Sequence, residues 1–220
     1  MRLLVVGAGA TGGYFGGRLA QAGRDVTFLV RPRRAAQLRE GGLQIVSPHG
    51  DVTLTPKLAA VGTIDGPYDA VLLAVKAYSL DAAIEDFAAA IGPETSIVPV
   101  LNGMRHIDVL DARFGRHSVA GGVCKVATTV DPDGRIVQLA EFQELAYGER
   151  DGHGLGTDGR ARRLHARRRV HGAADQRDRL RDVGEMGVVG YGRRDHLPYA
   201  RQPRRGGRGA RRLVVHPEPL

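Results

Sequence analysis

The chain begins with an apolar run, Arg2-Leu3-Leu4-Val5-Val6, that passes directly into a glycine-rich turn, Gly7-Ala8-Gly9-Ala10-Thr11-Gly12. A helix-compatible stretch from Thr11 to Ala22 follows and closes at Gly23. This order of strand, GxGxxG and helix constrains the fold more than any other feature, because each glycine has a mechanical reason. Gly7 permits a tight turn, Gly9 lets the backbone approach a pyrophosphate, and Gly12 lets the helix pack close to the strand. Free N–H groups at the helix start then face the anion. Gly7, Ala8, Gly9, Ala10, Thr11 and Gly12 are therefore candidate dinucleotide-binding residues.

The pattern continues as alternating strands and helices. Asp25–Val30 is rich in β-branched and aromatic residues, and Pro32–Glu40 reads as a short helix that Gly41-Gly42 ends. Leu43–Ser47 and Asp51–Thr55 read as a hairpin around Pro48-His49-Gly50. Ala70–Val75 is a continuous apolar run, as expected of a strand buried on both faces. Ser79 is placed to cap a helix that buries Leu80, Ala83, Ile84 and Phe87 and stops at Gly92-Pro93. Ser96–Leu101 reads as a strand, followed by Asn102-Gly103 and a helix through Arg113. Val119–Val130 and Arg135–Ala140 flank the turn Asp131-Pro132-Asp133-Gly134. The expected class is α/β: a Rossmann-type, mostly parallel sheet with helices on both faces. Ligands in such folds gather at the C-terminal strand ends.

Charge divides the chain in two. Of 220 residues, 1–150 hold 15 Lys plus Arg against 16 Asp plus Glu, whereas 151–220 hold 17 against 8. The formal net charge of +8 is thus a property of the last third. We read 1–150 as a dinucleotide-binding domain and 151–220 as an Arg/Gly-rich tail with too few large apolar residues to bury a core, hence poorly ordered. No apolar stretch approaches the roughly 20 residues of a membrane helix, so no membrane partner is expected. Leu3–Val6 is too short for the core of a secretory leader. The single cysteine, Cys124, excludes an internal disulfide and fits a reducing compartment, so a cytoplasmic location is expected. Cys124 itself reads as a small core residue, Asp131 and Asp133 as turn residues, and the eight histidines form no metal-ligand spacing. Nothing here fixes an oligomeric state.

The end of the second strand separates the two nicotinamide cofactors. An acidic residue there binds the ribose 2′-hydroxyl of NAD, and an arginine accepts the 2′-phosphate of NADP. Arg31 occupies the position, Arg33 and Arg34 follow, and no carboxylate is present, which favours NADP. Cations at a helix N-terminus are mildly unfavourable and require a reason. Lys76 and Asn102 follow two apolar strands and are expected on the same edge as the glycine turn; by position alone, each could equally be an ordinary polar residue at a strand end.

Together these segments resemble the N-terminal domain of the ketopantoate reductases (2-dehydropantoate 2-reductases). The resemblance rests on Gly7–Leu19, Val30-Arg31, Leu73-Ala74-Val75-Lys76-Ala77-Tyr78, Leu101-Asn102-Gly103-Met104 and Gly121-Gly122-Val123-Cys124, in the family's order. It implies that the glycine loop and Arg31 hold NADP, that Lys76 and Asn102 lie beside the nicotinamide end, and that Asn102 also contacts substrate. The implied activity is NADPH-dependent reduction of the small 2-keto acid 2-dehydropantoate to pantoate, in pantothenate biosynthesis. The family's proton donor is a lysine in a helical second domain, in a segment resembling Trp-Glu-Lys-Trp. Residues 151–220 contain no lysine, so no catalytic residue is assigned and impaired activity is expected.

A shifted reading frame is one explanation for that loss. When codons for Val183-Gly184-Glu185-Met186-Gly187 are read one nucleotide later, the triplet across Glu185 and Met186 encodes Lys or Arg. The next triplet must encode Trp, and the two preceding ones are free to encode Trp and Glu. The frame is therefore expected to depart between about residues 150 and 160. Two other readings remain. One is an NADP-dependent reductase of another small 2-keto acid. The other is nucleic-acid binding through the basic tail, for which a single Arg-Gly-Gly, at Arg205-Gly206-Gly207, predicts only non-specific, salt-dependent association.

Overall fold

A computed structural model describes residues 1–148, Arg150, and the backbone of residues 210–213. Strand β1 (Arg2–Val6) lies at the centre of its sheet because Leu3, Leu4, Val5 and Val6 are all buried, which requires cover on both faces. It pairs in parallel with β2 (Asp25–Leu29) on one side; on the other lies the strand of the later apolar run, Ala70–Leu73. The short strands β3 (Leu43–Val46) and β4 (Val52–Leu54) form the expected antiparallel hairpin. Next in sequence come β5 (Lys57–Ala59), β6 (Ala70–Leu73) and β7 (Ser96–Pro99), which complete an all-parallel sheet in the order β5-β2-β1-β6-β7. In register, Val6 pairs with both Leu29 and Leu73, and Leu73 pairs with Pro99. Four strands therefore end at one level, and their following loops share one edge.

Helices α1 (Ala10–Gln21) and α2 (Pro32–Gly41) cover one face, where Phe15, Leu38 and Phe28 are buried together. Helices α3 (Leu80–Phe87) and α4 (Arg105–Phe114) cover the other, around Ile84, Phe87, Ile97 and Leu110. The expected α/β class and helices on both faces are observed. Strand β6 ends at Leu73 rather than Val75, because its partner β1 turns away at Gly7 (φ +96°); the Ala74 N–H makes the last bond to the Val6 carbonyl (3.1 Å), and the chain then walls the glycine turn.

The sequence reading did not anticipate a second sheet. It joins the hairpin β3–β4 to β8 (Gly121–Val130) and β9 (Ile136–Gly148), with β3 parallel to β9 through Ile45 and Ile136. A further strand, β10 (Ala210–Leu213), pairs antiparallel with Leu145–Gly148. This sheet lies along the outer side of α1: a Cβ at Gly13 would lie 2.4 Å from Ile136, and one at Gly17 2.7 Å from Ile45. The fully buried Tyr14 hydroxyl fastens the helix to β9 through Gln138 (2.6 Å) and Gln143. Tyr14→Phe removes the hydroxyl that links α1 to β9, while Gln138 Oε1 keeps its bond from Ser47 Oγ (2.6 Å), and is expected to lower stability by about 1 kcal/mol in urea denaturation.

Arg150 donates to both oxygens of Asp111 (2.6 and 2.8 Å) and to the Val119 carbonyl (3.0 Å), so contacts of this unit reach residue 150. The tail expected over 151–220, with its nucleic-acid reading, lies outside the described residues apart from β10. No helix among the described residues is long and apolar enough to cross a membrane.

Candidate functional site

Gly7 leaves β1 with φ +96°, a conformation L side chains rarely adopt, and its N–H donates to the Leu29 carbonyl at 3.1 Å. A Cβ there would also stand 3.2 Å from the Ala74 carbonyl oxygen. Ala8 is buried, and Gly9 takes the N-cap position of α1 without any side-chain cap. The first helical bond runs from the Gly13 N–H to the Gly9 carbonyl (2.8 Å). The amides of Ala10, Thr11 and Gly12 precede it and have no intrahelical acceptor. No acidic residue occupies this first turn. A Cβ on Gly9 would meet no atom within 4 Å, so that position opens onto free space. A Cβ on Gly12 would lie 2.1 Å from the Gly7 carbonyl oxygen and 2.8 Å from Ala74 Cβ. The loop thus combines an open concave backbone, unsatisfied donors and a positive helix end, which suits a pyrophosphate.

Arg31 is the N-cap residue of α2, at the end of β2, and is exposed. Its Nη2 donates to Ser79 Oγ at 3.3 Å. Ser79 does precede α3, but its side chain makes no capping bond. The hydroxyl is turned to Arg31, so the loops after β2 and β6 meet across the crevice beyond β1. No sequence signal distinguishes a capping serine from one that orients an arginine. Arg33 is exposed, whereas Arg34 folds back toward the glycine loop.

Lys76 follows β6 and Asn102 follows β7; both are exposed, and register puts them on the glycine-loop edge. Tyr78 and Met104, beside them, are also exposed. Cys124 is half-buried in β8, and burial raises its thiol above the ordinary range, which does not suit a nucleophile. Asp131 and Asp133 both pair with Arg135 within their turn. Burial lowers the His106 imidazole, which lies in α4. Among the described residues, no cluster of three or more His, Cys, Asp or Glu could hold a metal.

These features define a Rossmann-type α/β domain whose loops converge beyond the central strand. Residues 3–152 match the ketopantoate reductase family, PanE/ApbA. The chain belongs to that family. It is 45% identical over 152 residues to the uncharacterized oxidoreductase YkpB of Bacillus subtilis, covering 69% of this chain and 50% of that protein. It is 30% identical to the 2-dehydropantoate 2-reductase of Mesorhizobium japonicum, covering 69% of this chain and 53% of the relative. The crystal structure of 2-dehydropantoate 2-reductase from Geobacter metallireducens superposes with a TM-score of 0.65 at 29% identity, covering 76% and 54% of the two chains. The chain spans about half the length of the curated relatives it matches.

Proposed function

We propose that residues 1–150 form the NADP-binding half of a cytoplasmic reductase that converts the 2-keto acid 2-dehydropantoate to pantoate, in pantothenate biosynthesis. The observation that carries the reading is the open backbone at Gly9, above the free amides of Ala10, Thr11 and Gly12, with Arg31 at the neighbouring strand end. In this reading the amides and Gly7, Ala8 and Gly9 hold the pyrophosphate, and the Arg31 guanidinium, oriented by Ser79, holds the 2′-phosphate. Lys76 and Asn102 flank the nicotinamide end, and the Asn102 amide donates to the substrate's oxygen atoms. The dinucleotide, when bound, supplies the hydride. No described residue is assigned as the acid that protonates the product oxygen. The lysine expected for that role belongs to the family's second domain, and we propose that residues beyond about 150–160 are read in another frame.

Reduction of a different small 2-keto acid is the second reading. The 45% identity to YkpB, named only as an oxidoreductase, is compatible with either substrate.

Titration of the purified chain with NADPH and NADH tests the cofactor. Arg31→Ala is expected to weaken NADPH by about 10- to 100-fold, corresponding to a lost charge-assisted contact of about 1.5–3 kcal/mol, and to leave NADH nearly unchanged. Equal losses for both would remove Arg31 from the site.

A further inference from the structure

Helix α2 carries cations where its own dipole is positive: Arg33 and Arg34 lie in its first turn, and no acidic residue accompanies them. Arg33 is exposed. Arg34 behaves differently. Its Nε donates to the Ala8 carbonyl (3.1 Å), 26 residues away, inside the glycine loop. Its Nη1 donates to the Gly134 carbonyl (2.9 Å), 100 residues away in the β8–β9 turn, and more weakly to Gln37 Oε1 (3.4 Å). Nη2 is shielded from solvent and has no hydrogen-bond partner among the described residues. No carboxylate among the described residues pairs with the group, and burial alone pulls it below the ordinary arginine range.

The turn is shaped to receive it. Gly134 has φ +84°, and a Cβ there would lie 2.9 Å from Arg34 Nη1. Two residues on, Ile136 packs against Gly13 at the start of α1. The guanidinium therefore ties together three segments that are far apart in sequence: the glycine loop, the head of α2 and the β8–β9 turn. Ala8 lies between two glycines, where peptide rotation is otherwise cheap. A trans peptide is planar, so fixing the Ala8 carbonyl also fixes the Gly9 N–H in the opposite direction.

We propose that Arg34 is a positioning residue for the dinucleotide loop: by strapping Ala8 to the Gly134 turn, it presets the backbone that receives the pyrophosphate. It acts through the loop and not on the 2′-phosphate. The proposal rests on the dinucleotide reading of the site, but its first test does not need a ligand.

The test uses the full chain with Arg34→Met, which keeps an apolar stem and removes every donor, and Arg34→Lys, which keeps the charge but cannot span both carbonyls. In the free chain, exchange of the Gly13 amide, which donates to the Gly9 carbonyl of the loop, is expected to quicken about tenfold in both variants, with exchange in β1 and β6 unchanged. ADP-ribose, which has the pyrophosphate but no 2′-phosphate, and NADPH should weaken by the same factor, about tenfold, while 2′-AMP is unaffected. Unchanged loop exchange overturns the proposal. So does full rescue by Arg34→Lys, or a loss confined to 2′-AMP and NADPH, which would mark a direct phosphate contact. If the unsubstituted chain binds none of these ligands, the dinucleotide reading falls and loop exchange still decides the role of Arg34.

Discussion

Gly12→Ala is expected to destabilise the domain by about 3 kcal/mol, whereas Gly9→Ala, three residues earlier, leaves stability within about 1 kcal/mol and cripples binding. The two glycines face opposite constraints. A methyl at residue 12 would lie 2.1 Å from the Gly7 carbonyl oxygen, 2.8 Å from Ala74 Cβ and 3.3 Å from Val5 Cγ1; the first is turn backbone and the second a Cβ fixed to its own backbone, so neither can swing aside. Helix α1 would have to lift from β1. At residue 9 the backbone is extended, with φ −87°, and the methyl meets nothing of the protein. It would occupy the space assigned to the pyrophosphate, at an expected cost of about 2 kcal/mol, or roughly 30-fold in Kd for NADPH. Urea denaturation paired with NADPH titration separates the two effects. A Gly9→Ala chain that binds as tightly as its parent would show that the space beyond Gly9 is not the cradle.

That contrast also marks what the amino-acid order alone reveals. The GxGxxG spacing identifies Gly12 as a packing glycine and Gly9 as an approach glycine because strand–turn–helix geometry is local. Lys76 and Asn102 are legible on the shared edge for a related reason: buried parallel strands are continuous apolar runs, and their ends are where polarity begins. The second sheet is not legible, since its defining pairing joins Ile45 to Ile136 across 90 residues of chain and leaves no periodic trace. Strand β5 is missed because Lys57-Leu58-Ala59 is three residues long and has one apolar side chain of any size; its pairing with Thr27–Leu29 makes it a strand. Ser79 shows the limit of local chemistry. Its place in the sequence reads as a cap, yet its backbone (φ −106°, ψ 5°) is not extended as a cap requires, and the hydroxyl serves an arginine 48 residues earlier. For Arg34 the sequence gives the anomaly, positive charge on a positive helix end, but not the two distant carbonyls that resolve it.

The largest expected change is in turnover. The chain of 220 residues is expected to bind NADPH yet show no measurable oxidation of it on addition of 2-dehydropantoate, because residues 151–220 offer no lysine to protonate the product oxygen. The family match stops at residue 152, within the interval where the reading frame is proposed to change. A gene whose frame is advanced by one nucleotide after about codon 150 is expected to encode Trp-Glu-Lys-Trp in place of the segment around Glu185 and Met186. It should also encode apolar residues at helical spacing beyond it. That longer product should reduce 2-dehydropantoate, and replacing its new lysine by methionine should lower kcat by about 10²- to 10⁴-fold, the usual contribution of a positioned general acid. Binding of NADPH should stay within about threefold across all three proteins, because the cradle at Gly9 and the guanidinium of Arg31 belong to the shared half. Steady-state oxidation of NADPH with and without the keto acid measures the first quantity, and fluorescence titration the second. Robust turnover by the 220-residue chain, or a nucleotide sequence whose advanced frame meets a stop codon before the Trp-Glu-Lys-Trp position, would each refute the frame proposal while leaving the dinucleotide site to stand on its own titration.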